Sequence, residues 1–93
     1  MDDAIKAIVT EIQSGMAFDA HFVIDTLIRN HGDVYLNYAT TMTSQDHITR
    51  TMHSQISRKI SRLEGTLTTD LELQSWSYNI RGNVNECKLW RRN

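Results

Sequence analysis

Apolar residues recur with the period of an α-helix over the first two thirds of the chain and with the period of a strand over the last third. The chain contains no proline, so glycine, asparagine and aspartate supply the punctuation. Ile5, Ile8, Val9 and Ile12 follow Asp2 and Asp3 at helical spacing. Two acids suit the partial positive charge of a helix N-terminus, so a first helix is predicted here, with Gly15 placed to end it in a left-handed cap. Phe18-Asp19 then reads as a hydrophobic residue ahead of an N-cap. Val23, Ile24, Leu27 and Ile28 share one face of the helix that follows, and Asn30-His31-Gly32 stops it.

Asp33 suits the cap of a short third helix in which Leu36, Tyr38 and Ala39 face inward with Tyr35 and Met42 beside them. Thr40, Thr41 and Thr43 weaken helix propensity and mark its end. Thr43 and Asp46 have capping-box spacing and open the clearest helix of the chain, expected from Asp46 to Leu63. Ile48, Met52, Ile56, Ile60 and Leu63 fall on one side of it, and Glu64-Gly65 closes it. Beyond that point the period shortens. Leu71 and Leu73 alternate with Glu72 and Gln74, Trp76 and Tyr78 suit a strand, and Cys87 and Leu89 alternate with Lys88 and Trp90 in a second run from Glu86 to Arg91. Asn79, Gly82 and Asn83 between the runs tolerate positive φ, which predicts a hairpin with a loop longer than two residues.

The pattern predicts one α+β domain over residues 1–93: three to four helices followed by a C-terminal β-hairpin. The expected core holds Ile5, Ile8, Val9, Ile12, Phe22, Ile24, Leu27, Ile28, Leu36, Ile48, Met52, Ile56, Ile60 and Leu63. No apolar run is longer than Phe22 to Ile24, and the start Met1-Asp2-Asp3 is acidic where a signal peptide is basic, so the expectation is a cytoplasmic protein with no membrane partner. Cys87 is the only cysteine. It admits no internal disulfide and no cysteine-based zinc site, and without a neighbouring His in its strand it reads as a packed or half-exposed thiol.

Charge changes this picture. The formal net charge is −1, yet residues 1–46 hold seven acids against Lys6 and Arg29, while residues 47–93 hold eight bases against Glu64, Asp70, Glu72 and Glu86. An anionic partner would bind the second half; otherwise the two halves face one another within the fold or across a homodimer. Between Asp46 and Glu64 there is no acid, and helical winding gathers Arg50, Ser54, Ser57, Arg58 and Ser61 within roughly 100° of arc, opposite the Ile and Met stripe, with Arg62 at the margin. Such a face is either an ordinary solvated one or a surface for the DNA major groove, where Arg contacts guanine edges or phosphates and Ser approaches closely enough to hydrogen-bond. Arg81 in the hairpin loop, and Arg91 with Arg92, add charge suited to a phosphate backbone, or are plain surface residues.

Three helical segments, a long basic helix and a terminal hairpin with a polar loop resemble the winged-helix branch of helix-turn-helix proteins. That resemblance implies that the hairpin is a wing and the helix before it reads the groove. The second half is also similar to small bacterial and phage proteins that share a His-x-x-Ile pair, here His53 to Ile56, and a Ser-x-Asn-Ile-x-Gly turn before a terminal Trp, here Ser77 to Gly82 and Trp90. This second likeness implies a shared fold and no assigned activity.

Other chemistry is sparse. His47 and His53 are about 240° apart on a helix, and His21 and His31 lie near opposite ends of theirs, so no pair has same-face ligand spacing and no metal or other cofactor is expected. His53 at the edge of the apolar stripe reads as a packing residue whose ring nitrogen finds a partner. No phosphate loop, nucleophile elbow or Glu-x-x-His pair is present, and His21 with Asp25 at one-turn spacing fits a local stabilising pair, so no enzyme is expected. Trp76, Tyr78 and Trp90 are expected to pack the hairpin onto the helices; the alternative is an exposed aromatic patch for a protein or a base. The expected function is the DNA-binding module of a small transcription regulator, using residues 46–63 and the hairpin on double-stranded DNA as a homodimer. Its competitor is a protein-interaction adaptor of the same shape that binds no nucleic acid.

Overall fold

The structure, a computed structural model, describes residues 1–41 and 48–93, with the side chains of Ile48 and Thr49 outside the description. The order of elements is α1 (Asp2–Glu11), β1 (Ala17–Asp19), α2 (Ala20–Asn30), α3 (Gly32–Ala39), α4 (Ile48–Ser61), β2 (Thr68–Tyr78) and β3 (Val84–Arg92). This is the α+β fold that the periodicities predict. Among the described residues no helix is long and apolar enough to cross a membrane.

The helices lie where the apolar spacing puts them, and the ends differ for local reasons. The first helix stops at Glu11 because Ile12 is already extended. Gly15 serves instead in the turn to β1, at φ 88°, and its N–H donates to the Arg92 carbonyl at 2.7 Å. The Asp19 side chain does cap α2, accepting from the Phe22 N–H at 2.8 Å. The third helix begins one residue before Asp33, behind His31, with no side-chain cap. The proposed Thr43 to Asp46 capping box lies outside the described residues.

One strand is absent from the expected pattern. Ala17, Phe18 and Asp19 pair antiparallel with Arg91, Trp90 and Leu89, so the hairpin becomes a three-stranded sheet of order β1-β3-β2. Three residues carry too little alternation to read as a strand; a neighbouring edge stabilises them. The hairpin itself closes over residues 79–83, where the Asn79 side chain accepts from the N–H groups of Arg81 and Asn83, and Gly82 takes φ 79°. Its register breaks between Asp70 and Gln74. Glu72 there adopts φ 58° while its N–H donates to Asp70 Oδ1, so the expected alternation of Leu71 and Leu73 fails at a bulge and Leu73 is exposed.

The core collects Ile5, Ile8 and Val9 from α1, Ala20, Val23, Ile24 and Leu27 from α2, Ile56 and Ile60 from α4, and Phe18 with Trp90 from the sheet. Met52 is also buried, and Ile12, Ile28, Tyr35 and Leu63 pack partly against the cluster. Phe22 and Leu36, both expected inside, are 48% and 65% exposed. In a helix of eight residues without one buried side chain, helical spacing alone does not select the inward face. Trp90 stacks on Phe18 with ring centroids 5.8 Å apart, and its indole N–H donates to Glu64 Oε1 at 2.9 Å. Trp76 and Tyr78 correct a further expectation: they are 66% and 71% exposed and do not pack the hairpin onto the helices.

Candidate nucleic-acid interface

The hairpin folds back along α4 so that its loop lies beside the first half of that helix and the start of α2. Between them is a cleft of about 280 Å³. Arg50, His53, Ser54 and Ser57 of α4, His21 and Ile24 of α2, and Asn79, Ile80, Arg81, Asn85 and Glu86 of the hairpin line it. Of the seven residues singled out for nucleic-acid contact, Arg50, Ser54, Ser57 and Arg81 meet there. Arg58 on α4 and Arg62, one residue past its end, are exposed away from the cleft. Ser61 is turned to the sheet, where it accepts from Lys88 Nζ at 3.2 Å. Arg91 is exposed beyond the core, and the Arg92 guanidinium donates to the carbonyl of Val9 at 3.1 Å.

Ion pairing removes some cations from this surface and leaves others. Lys59 bonds Asp2 at 2.6 Å, Lys88 lies 3.1 Å from both Glu64 and Asp70, and Arg29 lies 3.1 Å from Asp25. Among the described residues only the Lys59–Asp2 pair joins the basic half of the sequence to the acidic half. Among the described residues no carboxylate lies within salt-bridge distance of Arg58, Arg62 or Arg81. Glu86 is the acid on the cleft wall.

His53 anchors α4 as expected, its Nε2 hydrogen-bonded to the Tyr35 hydroxyl at 3.0 Å. Burial, with help from the charges of His21 and Arg81, pushes its pKa below the ordinary histidine range. Its surroundings therefore favour the neutral ring, which contributes a hydrogen-bonding edge. The Tyr38 hydroxyl donates to Gln55 Oε1, so both α3 tyrosines serve to seat α3 on α4.

The expected His21–Asp25 pair does not form. Asp25 bonds Arg29, and His21 Nδ1 lies 2.6 Å from the Ser77 hydroxyl of β2. His21 belongs instead to a half-buried group with Asp19 and Cys87, whose ligand atoms lie within 4.8 Å of one another. Helical spacing does not reveal this group, because Asp19 and His21 straddle a strand-to-helix junction. Cys87 reaches them only through β1–β3 pairing, which sets Asp19 opposite Leu89. The Asp-x-His at the start of α2 was the available signal. Compared with protein-family models, with curated proteins and with solved structures, the chain matches none.

Proposed function

We propose that this chain is a winged-helix-like, cytoplasmic DNA-binding domain, the reading module of a small transcription regulator that acts as a dimer. The observation that carries the reading is the convergence of Arg81 from the hairpin loop with Arg50, Ser54 and Ser57 from α4 on one cleft. A helix entering the major groove and a loop reaching the adjacent backbone need their cations and short donors on a common side of the domain. Arg58, and Arg62 just past the helix end, extend the charge toward the C-terminus of α4. Dimerisation follows from specificity, since one helix in one groove reads few base pairs.

The test is fluorescence anisotropy of a labelled mixed-sequence duplex titrated with the full chain at two salt concentrations. Binding that tightens steeply as salt falls supports the reading, with log affinity changing by about 0.9 per phosphate contact for each tenfold change in salt. No binding at low salt overturns it.

A second reading has its own support. Trp76, Tyr78 and Val84 are exposed on one face of the hairpin, with Leu73 exposed at the bulge, apolar surface more suited to a protein than to phosphate. Under that reading the domain is an adaptor, DNA titration gives no signal, and Trp76→Ala abolishes partner binding without affecting the fold.

A further inference from the structure

Asp19, His21 and Cys87 bring a carboxylate, an imidazole and a thiol to one place from the β1–α2 junction and from β3, half-buried and within 4.8 Å of one another. We propose that these three residues form a zinc-binding site. Tetrahedral zinc holds N, O and S donors at about 2.0–2.3 Å, which sets the donors about 3.3–3.8 Å apart. Closing the group therefore takes side-chain movements of about 1 Å or less. Magnesium and calcium are disfavoured because they take oxygen donors, whereas a mixed S, N, O set suits zinc.

The surroundings also fit. A ligating carboxylate is normally held by hydrogen bonds of its own, and Asp19 is held twice: Oδ1 accepts from the Phe22 N–H at 2.8 Å, and Oδ2 accepts from the Ser75 hydroxyl at 2.7 Å. A carboxylate has about four lone-pair sites, so capacity for a metal remains. The Ser77 hydroxyl lies 2.6 Å from His21 Nδ1 and 3.9 Å from Cys87 Sγ, a further polar group at the edge of the cluster. On binding, the Cys87 thiol proton passes to solvent and the thiolate joins the metal. The ion then ties the start of α2 to β3.

The site shares His21 with the wall of the cleft but does not depend on the DNA reading, and it is tested without DNA. The untagged full chain, stripped of metal, is titrated with cobalt(II) and then with zinc(II). The expected result is one cobalt per chain with thiolate-to-cobalt charge-transfer absorption that zinc abolishes, a higher Tm with zinc, and alkylation of Cys87 slowed by zinc. Cys87→Ser and His21→Ala lose the absorption and the Tm rise, while His31→Ala keeps both. Absence of charge-transfer absorption together with unchanged alkylation in the wild-type chain overturns the site, whatever the variants do to folding. So does zinc binding of equal strength in Cys87→Ser and His21→Ala.

Discussion

Trp90 is fully buried, and its ring brings into the core a single polar atom, the indole N–H, whose acceptor is Glu64. A buried donor without a partner costs about 1–3 kcal/mol, so Glu64→Ala is expected to destabilise the domain by that amount in urea unfolding, and Glu64→Gln, which retains an acceptor oxygen, by less. Charge adds a pH dependence. The hydrogen bond from Trp90, then the hydrogen bond and charge of Lys88, hold the Glu64 carboxyl below the usual carboxylate range; Asp70 is lowered by the Glu72 N–H and then by Lys88. A carboxylate whose pKa is lower folded than unfolded stabilises the fold at neutral pH. That stabilisation disappears as pH falls from the ordinary carboxylate range through the folded values. Thermal unfolding from pH 7 down to pH 2 should show this loss, and Glu64→Gln should flatten the acid limb. A limb unchanged in the variant would mean other carboxylates set it.

At the scale of elements, the β2 bulge is the least economical piece of backbone. Glu72 is exposed and holds φ 58°, a left-handed conformation that costs an L-residue roughly 1–2 kcal/mol and glycine almost nothing. Glu72→Gly is expected to raise stability by a few tenths to about 1 kcal/mol after the entropy of the freer unfolded chain is counted, and Glu72→Val to lower it. A pair of thermal melts decides this, and the opposite order would show that the bulge relaxes in solution. The bulge also explains the limits of alternation as a guide here. From Gln74 to Tyr78 and from Val84 to Lys88 the strands keep step, residue against residue, but the extra residues before Gln74 break the two-residue period at Leu71 to Leu73. The helices were easier to read: the Met52, Ile56 and Ile60 stripe of α4 is buried as its spacing requires. In α3 the same reasoning failed for Leu36, because two hydroxyls bonded to α4, from Tyr35 and Tyr38, fix the inward side.

For the whole molecule, the charge imbalance between the halves survives folding, since only Lys59–Asp2 bridges them among the described ion pairs. The proposed DNA surface thus predicts an asymmetry of response. Arg58→Ala and Arg81→Ala should each weaken binding and lower the salt slope by about 1, whereas Lys6→Ala, on α1, should change neither. Anisotropy titrations over a salt series measure the slopes, and equal effects from Arg58 and Lys6 would remove the surface from consideration. Four of the seven candidate residues were gathered by winding one helix and adding one loop arginine. Ser61 sits near the middle of that arc, but it is the last residue of α4, where the approach of β3 brings Lys88 onto its hydroxyl.

The sequence by itself determined the number and type of the main elements, the buried stripe of α4, the Asp19 cap and the long polar hairpin loop, because these depend on periodicity and on contacts between near neighbours. Only the tertiary structure decided what depends on distant partners. β1 exists because an edge of β3 was there to pair with three residues of weak local preference. Trp90 is inside while Trp76 and Tyr78 are outside because Phe18 and Glu64 meet one and, among the described residues, no helix covers the others. Asp19, His21 and Cys87 form a group because strand pairing joins residues that are more than sixty positions apart, a separation at which the chain carries no local signal.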